Sequence, residues 1–295
     1  MADVRPANAA QAQRWNGASG HYWIEHRERH LAEQQYLTPH LFRAAGISSG
    51  ERVLDVGCGC GTTTIDAARA AQGAAGDTPY ACPPHRDSGG FAVGLDLSAP
   101  MLDVARQLAA EAGAANAAFV RGDAQACPLR RDSFDAVISN FGVMFFEDPS
   151  AAFASIAAVV CSGGRLALLC WQDDTENEVF VIPPRAFGAD PQPPGPAAND
   201  LFADPRRITD LLSGTGWKDI QITPVAERAW IGSDVDDVMS YIRGMPRIRD
   251  LTASFDDPAV TERALATVAE EYAARQSTDG VWVRAAAWLV TARRA

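Results

Sequence analysis

The sequence has no long hydrophobic run and almost no lysine. No stretch approaches the roughly 18 consecutive apolar residues of a membrane-spanning helix, and residues 1–20 carry charges and amides where a signal peptide has an apolar segment. Lys218 is the only lysine, and 26 basic residues face 37 acidic ones, which gives a net charge of −11. Because phosphate binding needs a basic surface, we expect neither nucleic acid nor a membrane as a partner. The lack of a signal-peptide pattern in residues 1–20 leads us to expect a cytoplasmic protein.

The composition is sufficient for a large hydrophobic core. Hydrophobic residues make up 47% of the 295 positions and charged residues 21%. Short apolar segments alternate with helical patterns, which predicts a parallel sheet covered by helices on both faces. The predicted strands are 52–56, 91–95, 118–121, 135–139 and 165–171, and the helices between them are 62–71, 100–112 and 150–160.

The remaining segments predict additions to this sheet. Residues 8–45 and 233–276 have helical patterns, 73–90 is a loop, and 218–223 and 285–292 are further strands. We therefore predict four parts of the chain. These are an N-terminal helical cap (1–44), a core (45–232) with an irregular proline-rich excursion (172–200), a helical lid insert (233–280) and a last core strand (281–295).

A glycine-rich segment follows the first predicted strand directly. Asp55, Gly57, Gly59 and Gly61 stand at alternate positions between that strand and a helix. Glycines let the backbone turn sharply and approach a ligand closely. In dinucleotide-binding loops the third glycine usually comes three residues after the second, whereas here it comes two after, and a pyrophosphate gains nothing from a carboxylate at Asp55. A ligand with an ammonium group does gain, and S-adenosylmethionine has one.

Polar residues also follow the next three strands. Asp96 ends the second strand, Asp123 follows the third and Asn140 follows the fourth. The carboxyl edge of an open α/β sheet is where ligands bind. An acid at Asp96 can accept hydrogen bonds from ribose hydroxyls, and Asp123 can accept one from an adenine amino group. Four positions that agree are a stronger signal than one glycine pattern.

Together these motifs resemble class I S-adenosylmethionine-dependent methyltransferases. The closest resemblance is to the group of ubiquinone and menaquinone C-methyltransferases and natural-product methyltransferases, which implies secondary metabolism and a small-molecule methyl acceptor. It implies a doubly wound, mostly parallel, seven-stranded Rossmann-like sheet with an antiparallel last strand and a helical cover. The segments that carry the resemblance are 53–61, 94–98, 122–124, 134–146 and 162–171.

The resemblance also implies which residues bind S-adenosylmethionine. The glycine loop contacts the methionine part, Asp96 the ribose and Asp123 the adenine, and the N-terminal helices close over the cofactor with Trp15 as the candidate cap residue. The implied cofactor-binding set is Trp15, Asp55, Gly57, Gly59, Gly61, Asp96, Leu97, Met101, Asp123, Ala124, Asn140 and Phe141.

The sequence says less about the methyl acceptor, and about the base that would deprotonate it, than about the cofactor. Candidate general bases on the N-terminal segment are Tyr22, His26 and His30. We expect no metal, because Cys58 and Cys60 are separated by one residue where zinc sites usually have two. A homodimer is compatible with the sequence. Two alternatives stay open: an NAD- or FAD-dependent oxidoreductase, and a non-catalytic S-adenosylmethionine-binding relative.

Overall fold

The computed structural model describes residues 8–72, 89–189 and 199–295. The strands in these ranges are β1 Arg52–Val56, β2 Phe91–Asp96, β3 Ala117–Arg121, β4 Phe134–Asn140, β5 Val160–Trp171, β6 Trp217–Gly232, β7 Gln276–Ser277 and β8 Gly280–Arg294. The α-helices are α1 Ala9–Asn16, α2 Ala18–Glu25, α3 Arg27–Gln34, α4 Thr38–Ala45, α5 Thr62–Ala71, α6 Ala99–Glu111, α7 Pro149–Val159, α8 Glu178–Ala186, α9 Asn199–Ala203, α10 Pro205–Gly214, α11 Val235–Gly244, α12 Pro246–Ala253 and α13 Pro258–Ala273.

The strands form one sheet in the order β3-β2-β1-β4-β5-β8-β6, with the two-residue β7 paired to β8. Strands β1 to β5 run parallel, and β8 is antiparallel to both β5 and β6. The predicted seven-stranded, mostly parallel sheet with an antiparallel last strand is confirmed. The chain runs from β1 outwards to β3 and then returns to β4, so the strand order reverses between β1 and β4. Ligands bind at such a reversal point.

The predicted strands and helices around the glycine loop agree with the structure within a few residues. Strand β1 and helix α5 have the predicted bounds, and β2 and β4 are longer by one and two residues. The reason is that β1 and β4 are buried on both faces, so their apolar runs are continuous. None of the helices in the described ranges is long and apolar enough to cross a membrane.

Strands β6 and β8 are much longer than predicted and extend beyond the rest of the sheet. Pairing between β5 and β8 ends at Trp171 and Ala287, whereas pairing between β6 and β8 continues to Gly232 and Val281. The extension, which we call the ribbon (226–232 with 280–286), projects roughly 20 Å past the carboxyl edge of the parallel strands. The predicted strand ended at 223, whereas β6 continues through Pro224, although proline lacks the amide hydrogen that a strand interior needs.

The ribbon carries the helical insert, and Arg29 of α3 connects both to the N-terminal helices. Its guanidinium donates to the Ile231 carbonyl and to the Asp237 carboxylate, the latter at 2.5 Å. It also lies 4.5 Å from the centre of the Tyr241 ring, close enough for a cation–π interaction. The predicted helical segments at 8–45 and 233–276 are indeed helical, as α1–α4 and α11–α13. The four-part division of the chain stays a prediction.

The predicted irregular excursion at 172–200 is wrong for part of its length, because α8 lies within it. Its start is fixed by Asn177, whose side chain is buried and hydrogen-bonds both the N–H and the C=O of Ala286. Ile182 and Pro183 are buried against the sheet, so tertiary packing outweighs the two prolines inside the helix. The part of the excursion at 190–198, and most of the predicted loop 73–90, lie outside the described residues.

A buried ion pair joins β1 to β4 at the edge opposite the carboxyl ends. Arg52 donates from Nε and Nη2 to the two oxygens of Asp135, at 3.0 and 2.9 Å, and its backbone N–H donates to the same carboxylate at 2.9 Å. Both side chains are less than a tenth exposed. Water therefore cannot replace either partner.

We expect Asp135→Ala to lower the free energy of unfolding by about 3 to 5 kcal/mol, since the substitution leaves the Arg52 charge buried without its carboxylate. Urea unfolding measures this. The control is Asp66→Ala, which removes a half-exposed ion pair with Arg69 and should change the unfolding free energy little. Equal effects of the two substitutions would show that burial does not govern the strength of the first pair.

Candidate functional site

A cavity of about 340 Å³ lies at the carboxyl edge of the parallel strands. Its floor is formed by the loops that follow β1, β2 and β4, and its roof by α1, α2 and α3 together with α8, α11 and α12. The volume is within the range of small-molecule sites. Its charged and titratable lining residues, apart from tyrosines and cysteines, are Arg14, Arg27, His30, Glu33, Asp96 and Asp123.

The glycine loop forms one end of the floor. Gly57, Gly59 and Gly61 have φ angles of +68°, +53° and +82°, a region that favours glycine. A Cβ on Gly57 would lie 2.7 Å from the Cα of Gly142, and one on Gly61 would lie 2.7 Å from the Phe119 ring. The loop is therefore closely packed from below, and its upper surface is left to the cavity.

Asp55 lies beneath this loop and does not line the cavity. Its Oδ2 accepts hydrogen bonds from the hydroxyls of Thr63 and Thr64, at 2.7 and 2.6 Å, so it fixes the first turn of α5. Its Oδ1 is buried and has no partner within the described residues. Burial, helped by the nearby charge of Asp96, raises the pKa of the Asp55 carboxyl to about 6. The expected contact between Asp55 and an ammonium group is therefore not made from the cavity wall.

Asp96 connects the glycine loop to the end of β2. Its Oδ2 accepts the Gly59 N–H and its Oδ1 accepts the Ser98 N–H, both at 2.8 Å. Burial raises the pKa of this carboxyl, while the backbone N–H groups act against that rise. A carboxylate has about four acceptor sites, so Asp96 can still accept a hydrogen bond from a ligand. Asp96 lines the cavity, together with its neighbour Leu97 and with Met101.

Asp123 lies where the chain leaves β3. Its Oδ1 accepts the Gln125 N–H at 2.9 Å, whereas Oδ2 is buried with no partner within the described residues. Asp123 and Ala124 both line the cavity. A buried carboxylate oxygen without a donor is costly, so this atom indicates a ligand that donates a hydrogen bond here.

Asn140 and Phe141 form the floor at the end of β4. The Asn140 amide donates to Gln34 Oε1 at 2.8 Å and to Thr38 Oγ1 at 3.3 Å. Its Oδ1 is buried and unpartnered among the described residues. Phe141 has a φ of +61°, unusual for a residue with a side chain, and its ring stacks on Trp171 with 4.0 Å between centroids.

The N-terminal helices are attached to the turn after β2. The Trp15 carbonyl accepts from Ser98 Oγ at 2.7 Å, and the Asn16 side chain bonds the Leu97 C=O and the Ala99 N–H at 3.0 and 2.9 Å. Trp15 lines the cavity and packs edge-on against Phe145 at 5.0 Å between ring centroids. Trp15, the candidate cap residue, therefore lies in the cavity wall.

The other end of the cavity is an apolar chamber. The ring of Trp171, stacked on Phe141, meets Phe180 of α8 edge-on with 5.5 Å between centroids. Residues of α8, α11 and α12 complete the wall. We call this region the aromatic chamber; it consists of Phe141, Trp171, Val179, Phe180, Pro184, Tyr241, Met245 and Ile248.

The three candidate bases are not equivalent. Tyr22 lines the cavity, but its hydroxyl donates to the Tyr241 carbonyl at 3.2 Å and burial raises its pKa well above the usual value. His26 packs against the Tyr22 ring and does not line the cavity. Burial lowers the pKa of His26. His30 lines the cavity and is buried.

Sequence reasoning missed several cavity residues. Arg27 begins α3 and lies close enough to Cys60 in the glycine loop for its charge to lower the pKa of that thiol, although burial raises the same pKa more. Glu33 and Gln34 are buried polar residues of the same helix. A helix as polar as α3 has no apolar stripe to show which side faces inwards, so no sequence signal separates these residues from solvated ones.

Comparison with known proteins agrees with this geometry. A model of the methyltransferase domain matches residues 47–180. The match covers less than half of the chain, and within it the chain is similar to that domain. The matched segment contains β1 to β5, the glycine loop, Asp96, Asp123 and Asn140, whereas the N-terminal helices α1 to α4 begin before it and the helices α11 to α13 follow it.

Individual relatives match part of this chain over part of their own length. An uncharacterised protein of Mycobacterium tuberculosis is 33% identical over 135 residues, which are 46% of this chain and 42% of that protein. The aklanonic acid methyltransferase of Streptomyces sp. strain C5 is 32% identical over 45% of this chain and 55% of its own. The chain therefore spans about half the length of these curated relatives. The crystal structure of YcgJ from Bacillus subtilis shares the fold, with a TM-score of 0.54 and 17% identity over 87% of this chain and 98% of that one.

The raised pKa of Asp55 predicts a specific pH dependence. The folded protein keeps the Asp55 proton up to a pKa of about 6, whereas the unfolded chain loses it near pH 4. Between these values the folded state binds more protons, so stability falls as pH rises. We expect wild type to lose about 3 kcal/mol relative to Asp55→Asn between about pH 4 and pH 7. Urea unfolding at several pH values measures this difference, and Asp66→Asn is the exposed control.

Proposed function

We propose that this protein is a methyltransferase that transfers a methyl group from S-adenosylmethionine to a small molecule. One observation carries the proposal. Asp123 Oδ2 and Asn140 Oδ1, which are buried and unpartnered among the described residues, belong to residues that line the same cavity as the Asp96 carboxylate and the glycine loop. These oxygens and the Asp96 carboxylate can accept hydrogen bonds from an adenine amino group and from ribose hydroxyls. The glycine loop beside them allows a ligand to approach the backbone closely.

The residues fit S-adenosylmethionine at each part of the molecule. Asp123 would accept from the adenine amino group, Asp96 from the ribose hydroxyls, and the glycine loop would contact the methionine part. Arg27, which lies beside this loop, would bind the methionine carboxylate. The cofactor supplies a methyl group on a positively charged sulfur, and the aromatic faces of Trp15 and Phe141 favour such a cation.

The chain contributes positioning and exclusion of water. The roof of α1 to α3 would cover the cofactor, and the aromatic chamber would hold the acceptor beside it. Such positioning lowers the barrier by about 7 to 11 kcal/mol, whereas a general base contributes a factor of about 10² to 10⁴. Positioning therefore accelerates the reaction more than a base does.

A small molecule is the acceptor class that the cavity and the relatives support. The chamber is lined mostly by apolar side chains, and the net charge of −11 is unsuited to nucleic acid. The name of the Streptomyces relative refers to a small organic acid, which supports a place in secondary metabolism. We also propose that the protein acts in the cytoplasm, away from membranes. A homodimer stays a prediction.

Isothermal titration with S-adenosylhomocysteine and with NADH tests this function. We expect micromolar affinity for S-adenosylhomocysteine, no binding of NADH, and loss of affinity in Asp96→Ala. Binding of NADH alone would contradict the proposal in favour of an oxidoreductase. A protein that binds S-adenosylhomocysteine but methylates no member of a broad small-molecule panel would instead support the non-catalytic alternative.

A change of base preference tests the role of Asp123. In Asp123→Asn the side-chain oxygen can still accept the Gln125 N–H, while an amide NH₂ replaces the unpartnered oxygen. We expect affinity for S-adenosylhomocysteine to fall about 10-fold to 100-fold, the effect of one unpaired buried polar group. Affinity for S-inosylhomocysteine, which has a carbonyl in place of the amino group, should rise. Equal losses for both ligands would exclude direct contact with the base.

A pair of ligands tests the role of Arg27. We expect Arg27→Gln to weaken S-adenosylhomocysteine binding about tenfold or more, the usual effect of losing a charge-assisted hydrogen bond. Binding of methylthioadenosine, which lacks the carboxylate, should be unchanged. Arg106→Gln, on the outer face of α6, is the matched control. A similar loss of affinity for both ligands would show that Arg27 maintains the shape of the cavity and does not bind the carboxylate.

A further inference from the structure

His30 and Glu33 form a buried pair within the cavity. They lie one turn apart on α3, and His30 Nδ1 is 3.4 Å from Glu33 Oε2. His30 is 7% exposed and Glu33 9%. The separation is long for a hydrogen bond, as is common for catalytic pairs before a substrate is bound. The opposite ring nitrogen, Nε2, is buried and has no partner among the described residues.

Neighbouring aromatic rings hold the imidazole in place. The His30 ring stacks on Trp23, with 3.7 Å between centroids and an angle of 11° between the planes. Tyr241 meets it edge-on at 6.1 Å between centroids. With its Nδ1–H directed at the Glu33 carboxylate, the neutral ring keeps a free lone pair on Nε2. A carboxylate and an aromatic face are general partners of an imidazolium.

His30 lies between the cofactor floor and the aromatic chamber. Gln34, one turn further along the same helix face, bonds Asn140 at the end of β4, and Tyr241 on the other side belongs to the chamber. The chamber has flat aromatic walls and no lysine, arginine, aspartate or glutamate among the described residues that form it. Such walls favour an uncharged planar ring, and the His30 imidazole at the boundary favours a ring that carries an ionisable hydroxyl.

We propose that His30 is the general base of this site, that Glu33 is its positioning residue, and that the acceptor is a planar aromatic molecule with a phenolic or enolic hydroxyl. This inference rests on the proposed function. The hydroxyl proton passes to His30 Nε2, and the electron pair that it leaves attacks the methyl carbon from the oxygen or from a conjugated ring carbon. In attack from the ring carbon, that carbon then loses its own proton and the hydroxyl is restored. The carbon–sulfur bond breaks with its electrons on sulfur, giving neutral S-adenosylhomocysteine, and His30 releases one proton to solvent.

Other titratable groups surround the pair. Glu33 and Arg29 lie on the same helix, Tyr22, Glu25 and His26 come from the helix before it and its end, and Tyr241 comes from α11. Arg29 is paired with Asp237. Among the described residues, Glu33 is the carboxylate that contacts the His30 ring. Substitution of Glu33 therefore tests the His30–Glu33 pair and leaves the other groups of the cluster in place.

The test uses 4-nitrophenol, whose phenolate absorbs in the visible, added to the full-length protein saturated with S-adenosylhomocysteine. At a pH where the free phenol is largely neutral, we expect binding to produce the phenolate band. In His30→Gln the band should fall to the level of free phenol. In Glu33→Gln, which keeps an acceptor for Nδ1–H but removes the charge, the midpoint of phenolate formation should move up by about one pH unit. 4-Nitroanisole, which has no proton to lose, should compete for the site without producing the band.

The matched control is a second histidine–glutamate pair outside the cavity. His40 Nε2 lies 2.8 Å from Glu227 Oε1, so His40→Gln should leave the band unchanged. Titration with S-adenosylhomocysteine first confirms that each variant is folded and binds the cofactor product. Intact S-adenosylhomocysteine binding with no phenolate band in wild type, or with a band that survives in His30→Gln, would overturn the inference while the proposed function stands. Loss of S-adenosylhomocysteine binding in wild type would instead overturn the proposed function.

Discussion

The close approach of two backbone segments underlies the rest of this structure. Gly57, after β1, and Gly142, after β4, pack so closely that a Cβ on either one would lie within 3 Å of the other's backbone. This contact lies where the strand order reverses, and it leaves no room for a side chain. The floor of the cavity is therefore formed by main chain, against which a ligand can lie at short range.

The cofactor end is electrostatically unfavourable without a ligand. Asp55 is buried and Asp96 is half-buried near the same loop, and desolvation raises the pKa of each. Threonine hydroxyls stabilise the Asp55 carboxylate and backbone N–H groups stabilise that of Asp96. Asp123 keeps one buried oxygen without a donor among the described residues. A ligand that brings hydroxyl and amino donors relieves part of this cost, so binding and folding are coupled at this edge of the sheet.

The sequence was informative where local rules decide the structure. Glycines fix the bounds of β1 and α5, and the ends of parallel strands bring Asp96, Asp123 and Asn140 together because topology allows no other arrangement. Prediction was wrong where tertiary contacts outweigh local preference, as in α8, whose prolines are held by packing and by Asn177. The sequence did not single out Arg27 and Glu33 of the polar helix α3, since neither periodicity nor spacing distinguishes a charge that lines a cavity from a solvated one.

The ribbon has a consequence for how this protein can change. Gly232 and Val281 face each other across its end, so the chain leaves the sheet and rejoins it at nearly one point. Everything between them can be exchanged as a cassette without altering the register of β6, β8 or the parallel strands. Because that cassette supplies Tyr241, Met245 and Ile248 to the chamber, the choice of acceptor can diverge, or be engineered, while the cofactor end remains constant.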